Sequence, residues 1–107
     1  MSKDPIVIVS AVRTPMGGMM GVFKDVRAPD LGATAINAAI NRAGISKADI
    51  DEVIMGCVLP AGLGQAPARQ ASRAAGLPDA TGCTTINKMC GSGMKAVMLA
   101  HDQLAAG

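Results

Sequence analysis

The chain has no tryptophan and no tyrosine, and Phe23 is its one aromatic side chain. Aromatic bulk therefore does not build the core. With 13 glycines, eight methionines and half of its 107 residues hydrophobic, packing must rely on close backbone approach and on Met, Val, Ile and Leu. Charge of one sign is lacking too: ten basic residues are spread among eight acidic ones, for a net charge of +2. No clustered basic face results, and a nucleic-acid partner is not expected. No segment approaches the ~18 apolar residues of a membrane span, so no membrane partner is expected either. The first residues, Met-Ser-Lys-Asp-Pro, lack the apolar run of a secretory signal. The three cysteines, Cys57, Cys83 and Cys90, are an odd set without a C-x-x-C pair, which argues against a disulfide framework or a zinc site. The expected compartment is the cytosol, with reduced thiols.

What is present reads as one small domain without repeat, low-complexity tract or linker. Pro5 to Val12 is a continuous apolar, β-branched run, the pattern of a strand buried on both faces. Residues 13 to 22, with Pro15 and three glycines, form a loop. A helix is expected from about Ala28-Pro29-Asp30 to a stop at Gly44, with Leu31, Ala35, Ala38, Ala39 and Arg42 at helical spacing. Ser46 to Asp49 resembles a capping box. Glu52 to Leu59 is a second buried strand, and Gly62 to Pro67 a turn. Pro67 to Ala75 is a short helix closed by Gly76, on which Arg69 and Arg73 suggest a solvated face. Thr81 to Lys88 is a third strand. A helix from about Gly91 to Ala106 follows, so poor in charge that it should be surrounded by protein. Strands alternating with helices define an α/β fold with a largely parallel sheet, in which sites gather at the carboxyl ends of strands.

Cys90 falls at such an end. A thiol beside a helix N-terminus meets the positive end of the macrodipole and free backbone N–H groups, where a thiolate is most easily stabilised; Lys88 and Lys95 can add positive charge. Taken alone, a cysteine is more often a small buried hydrophobe. The strand-to-helix position and the Gly91-Ser92-Gly93 run shift the balance to a nucleophile: small residues admit a substrate carbonyl, and N–H groups around residues 90 to 93 can donate to an oxyanion. Asn87, Gly91 and Ser92 are the supporting candidates. Cys57 and Cys83, inside apolar strands, read as core. His101 lies about three helical turns from Cys90, roughly 16 Å along a helix axis, and reads as a packing or capping residue rather than a base. Gly62-Leu63-Gly64-Gln65 reads as a structural turn, since no Gly-Lys-Ser/Thr follows to make a phosphate loop.

The stretch Asn87-Lys88-Met89-Cys90-Gly91-Ser92-Gly93-Met94-Lys95-Ala96 resembles the acyl-enzyme signature of the thiolases, the acetyl-CoA acetyltransferase family. Three other stretches agree in order and spacing: Val12 to Gly17, Met55 to Leu59, and Gly62 to Gln70 leading into Ala75-Gly76-Leu77-Pro78. The resemblance implies a thiolase-like layered fold and a two-step thioester exchange. Cys90 takes an acyl group from acyl-CoA and passes it to a second acetyl-CoA, or to CoA in the reverse direction, with the Cys90 N–H helping to hold the oxyanion. It also implies coenzyme A thioesters as substrates, no resident cofactor and no metal, and a homodimer or homotetramer.

The family's Gly-His-Pro and Cys-x-Gly motifs do not occur in these 107 residues. The resemblance therefore implies an incomplete N-terminal thiolase domain over residues 1–107, the opening segment of a longer enzyme, with little activity alone. Two alternatives stand beside it. The chain is a catalytically dead folding or oligomerisation module, or it belongs to a ketoacyl-synthase-type condensing enzyme, which the Arg13-Thr14-Pro15-Met16-Gly17 stretch disfavours.

Overall fold

A computed structural model describes residues 4–107 of the chain. Three helices and two strands follow one another as α1 (Ala28–Ala43), β1 (Glu52–Gly56), α2 (Pro67–Ala74), β2 (Gly82–Ile86) and α3 (Ser92–Ala106), with a 3-10 turn at Lys47–Asp49 before β1. The strands pair in parallel with Val53 opposite Cys83 and Gly56 opposite Ile86. A parallel pair needs a crossover, and α2 supplies it. Alternation along the strands then divides the molecule. Val53, Met55 and Cys83 face α1 and α2, whereas Gly56 faces the start of α3.

Local chemistry explains the helix limits. Pro29 sits in the first turn of α1, where a missing N–H leaves no helical acceptor unsatisfied, and Asp30 complements the dipole. Gly44 ends the helix at φ 70°, returning its N–H to Ile40 O and Asn41 O. Only glycine adopts that left-handed conformation without strain. The Ser46 hydroxyl accepts from Ala48 N–H while Asp49 Oδ2 accepts from Ser46 N–H, completing the expected capping box.

The core lies between α1, α2 and the sheet: Ala33, Ile40, Val53, Ala75 and Leu77 are buried, with Ile36, Ile50, Met55 and Cys83 packed against them. The buried stripe of α1 runs through Pro29, Ala33, Ile36 and Ile40, one step round from the face anticipated from Leu31, Ala35 and Ala38. Small residues let the layers close. A Cβ on Gly32 would lie 3.1 Å from Ala71 Cβ and 3.2 Å from Met55 Cε, so glycine brings α1 against α2.

Three expectations are corrected. Residues 5 to 12 form no strand, and Ile8 is 77% exposed. A β-branched run becomes a strand only with a ladder partner, and among the described residues β1 pairs with β2 alone. The segment is held instead to α1, where Ser10 Oγ donates to Ala39 O at 2.8 Å and Arg42 Nη1 donates to Ala11 O at 3.0 Å. The expected strands at 52–59 and 81–88 shorten to five residues each, because pairing ends once the chains diverge into their loops. Finally, α3 is apolar but uncovered, with Met94 73% exposed and Val97, Met98 and Leu104 also open. Its buried residues are Ser92 and Ala96, and it packs chiefly on β1 and more sparsely on β2.

That openness shows in the total surface. A compact monomer of this mass exposes about 5,500 Å². This chain exposes 7562 Å².

Candidate functional site

The residues between β2 and α3 turn sharply. Met89 adopts φ 50°, a left-handed conformation that a non-glycine residue takes at a cost of roughly 1–2 kcal/mol. Such a conformation persists where neighbours over-determine it. Here they do. Met89 N–H donates to Asn87 Oδ1 at 2.9 Å, and Met89 O accepts from both the Ser92 hydroxyl at 2.6 Å and Ser92 N–H at 3.2 Å. Lys88 N–H donates to Ser92 Oγ at 3.0 Å, and Lys88 O accepts from Gly91 N–H at 2.9 Å. Cys90 is carried at the apex of these bonds, immediately before Gly91, the residue that caps α3 with no side-chain hydrogen bond.

The structure thus brings Asn87, Cys90, Gly91 and Ser92 together in one turn. The Asn87 amide does double duty, because its Nδ2 also donates to Val58 O at 3.3 Å and ties the turn to the loop after β1. Its supporting part is to hold the turn. The expectation that N–H groups from 90 to 93 act jointly on an oxyanion is narrowed: those of Gly91 and Ser92 are already given to Lys88 O and Met89 O. The Cys90 N–H has no backbone acceptor among the described residues.

All three cysteines are free, and Cys90 is the exposed one. Cys57 and Cys83 are half-buried; Cys83 packs against the core and its thiol contacts Thr81 O at 3.5 Å. Lys88 is exposed and Lys95 half-buried. His101 is engaged elsewhere: Nε2 meets Asp4 Oδ2 at 2.6 Å and Nδ1 meets Asp102 Oδ1 at 3.3 Å. The hydrogen bonds from Asp4 and then Asp102 raise its pKa above 6.5, and the same bond from His101 lowers that of Asp4 below 3.8.

Two features escaped the sequence reading. A Cβ on Gly56 would lie 2.5 Å from Ser92 C and 2.7 Å from Gly93 N, so β1 approaches the start of α3 backbone to backbone. A glycine inside a β-branched strand is the signal that points to such an approach. The second is the clamp on the turn after β1. Arg27 Nη2 donates to Leu63 O at 2.7 Å and to Gln70 Oε1 at 3.0 Å, and Gln70 Nε2 donates to Leu63 O at 2.6 Å and Gln65 O at 2.7 Å. These bonds make residues 62–65 a structural turn. The shared solvated face of Arg69 and Arg73 is corrected, since half-buried Arg69 donates to Thr81 O at 3.0 Å while Arg73 alone stays outside, paired with Asp79.

Between β1 and α3 lies a groove of about 1160 Å³, lined by Ile54, Met55, Val97, Ala100 and Leu104 with Asp51 and Glu52 at one end. It does not include Cys90. Among the described residues no cluster of His, Cys, Asp and Glu could hold a metal ion, and no helix is long and apolar enough to cross a membrane.

A parallel βαβ unit with an exposed thiol on the strained turn into the helix that follows it defines an α/β protein. Comparison with known proteins makes the class particular. Residues 6–107 match the family described as thiolase, N-terminal domain, and the chain belongs to the thiolases. It is similar to the mitochondrial acetyl-CoA acetyltransferase of Bos taurus, 54% identical over 97% of this chain and 25% of the relative. The acetyl-CoA acetyltransferase of Cupriavidus necator is 55% identical over 95% of this chain and 26% of its own length. A crystal structure of a thiolase from Ascaris suum in complex with coenzyme A superposes with a TM-score of 0.90 at 40% identity, covering 94% of this chain and 26% of that one. The chain spans about a quarter of the length of these relatives.

Proposed function

We propose that this chain is the incomplete N-terminal domain, residues 1–107, of an acetyl-CoA acetyltransferase, and that Cys90 is its acyl-accepting nucleophile. The observation that carries the reading is the exposed Cys90 thiol on the pinned turn ahead of α3, in a chain whose residues 6–107 match the thiolase N-terminal domain. The thiolate attacks the carbonyl of an acyl-CoA thioester, and the tetrahedral oxyanion is met by the Cys90 N–H. Its collapse expels CoA as thiolate and leaves an S-acyl cysteine. In synthesis, the α-carbon of a second acetyl-CoA loses a proton to a base and attacks the acyl carbonyl, releasing Cys90 and acetoacetyl-CoA. In cleavage, CoA thiolate takes the acyl group instead. Sulfur suits both halves as a good nucleophile and a good leaving group.

His101 is not that base, being occupied by Asp4 and Asp102. The base and most of the coenzyme A grip are assigned to sequence outside these residues. The thiolase match and the acetyl-CoA acetyltransferase relatives favour this reading over a ketoacyl synthase. Treating the intact enzyme with iodoacetamide or acyl-CoA and mapping peptides tests it: Cys90 is expected to carry most of the label. Equal labelling of Cys57 and Cys83 sinks the assignment.

The excess of exposed surface supports a second reading, in which the chain on its own serves only folding and assembly. The proposed assembly is a homodimer or homotetramer, with α3 the face in need of cover. Sedimentation showing a stable monomer that binds no apolar dye counts against it. We place the protein in the cytosol, a reading supported by its three free thiols. Several relatives are named as mitochondrial, and fractionation decides between the two.

A further inference from the structure

We propose that Gly56 and Ser92 form a two-part lock that positions Cys90, an inference that rests on Cys90 being the nucleophile. Ser92 is 6% exposed, and its hydroxyl works as both donor and acceptor: the proton goes to Met89 O at 2.6 Å and a lone pair takes Lys88 N–H at 3.0 Å. Its proton is therefore committed and cannot be donated to a substrate oxygen. What the hydroxyl does is fasten Lys88 N–H and Met89 O, on the two residues before Cys90, to the first residue of α3, so that the turn carrying the thiol is tied to the helix.

Gly56 supplies the other half. The end of β1 presses on Ser92 so closely that a Cβ on Gly56 would stand 2.7 Å from Ser92 Cβ as well as 2.5 Å from its carbonyl carbon. Contacts that short require backbone to shift. Glycine therefore fixes the depth at which the helix start sits against the sheet, while the serine fixes the turn to the helix start. Asn87 steadies the same turn from the β1 side through Val58 O. The thiol reaches its place by a chain of contacts running from strand to helix to turn. Ser92 and Gly56 are positioning residues, since the Ser92 proton is committed to Met89 O and Gly56 has no side chain.

The test uses the intact enzyme, Ser92→Ala and Gly56→Ala, with iodoacetamide labelling rates resolved by peptide and melting followed by circular dichroism. In the unsubstituted enzyme Cys90 is expected to label fastest. Each substitution is expected to slow Cys90 at least threefold while the rates at Cys57 and Cys83 stay within a factor of 1.5 on the order of assay scatter. A role confined to general stability would instead raise the rates at all three cysteines. If Cys90 labels no faster than the other two in the unsubstituted enzyme, the nucleophile assignment fails. If it labels fastest there and keeps that rate in both variants, the lock is overturned. Should either variant not fold, amide exchange in the unsubstituted enzyme decides: the Lys88 N–H is expected to be protected at least tenfold, and exchange at the rate of a free peptide overturns the proposal.

Discussion

The two faces of the small sheet are built from similar residues and are in opposite states. Towards α1 and α2 it meets small and branched side chains that close to contact, burying Ala33, Ile40, Val53, Ala75 and Leu77. Towards α3 it meets a helix just as apolar, yet Met94, Val97, Met98 and Leu104 stand open beside a groove. Composition does not distinguish these faces. The difference lies in what is available to pack: α2 is threaded between the two strands and is bound to lie on them, whereas α3 buries Ser92 and Ala96 near its start, where Ser92 meets Gly56, and is held towards its end by the exposed contact of His101 with Asp4. Stability and chemistry divide along the same line, because the candidate nucleophile stands where the closed half ends and the open half begins.

The sharpest way to break the contrast is to truncate on both sides. Leu77→Ala or Ile40→Ala is expected to lose about 2–4 kcal/mol in urea denaturation, against less than about 0.5 kcal/mol for Met98→Ala. Equal losses would mean that α3 is covered in solution. A smaller effect of opposite sign is expected within the closed half. Ser72 is fully buried, and its hydroxyl has no hydrogen-bond partner. Replacing it by alanine removes an unsatisfied group and should add about 1 kcal/mol; a loss in the same denaturation experiment would reveal a partner. On the open half, Met94→Gln with Leu104→Lys should leave the midpoint within about 0.5 kcal/mol while visibly reducing apolar-dye fluorescence. Unchanged fluorescence would locate the sticky surface elsewhere, with residues 7 to 9 the next place to look.

The smallest effect concerns the tie between the two ends of the described chain. Because His101 has a raised pKa, its contribution is complete below 6.5, the unfolded value, and fades as pH climbs through the higher folded one. Asp4 has a lowered pKa, so its contribution is present above 3.8 and fades as pH falls through the lower folded value. The pair is therefore strongest between pH 3.8 and 6.5. An NMR titration should find His101 above its ordinary range and Asp4→Asn should bring it down, with Asp102 retaining part of the shift. A His101 unmoved by Asp4→Asn would remove the tie.

Much of this was legible in order along the chain. Pro29, Gly44, Ser46, Pro67 and Gly76 mark their element limits because each acts through its own backbone or a neighbour three residues away. Cys90 was legible for a related reason, since its setting is a local strand-to-helix change. What stayed hidden depends on distant partners. The β-branched run from Pro5 looks like a strand on intrinsic grounds, but a ladder is a property of two segments. The bare face of α3 and the covered face of α1 carry the same kind of periodicity. Gly91 and Ser92 could be named as neighbours of Cys90, but their role in the turn follows from hydrogen bonds that only the folded geometry makes.

Met89 carries a consequence of another kind. Glycine would adopt φ 50° freely, and so would relieve a conformation that costs a side-chain-bearing residue roughly 1–2 kcal/mol. A Met89→Gly chain should thus tend towards greater thermal resistance at that turn, opposed by the freedom glycine adds to the unfolded chain. Keeping methionine next to the thiol means that the turn is not shaped for maximal durability.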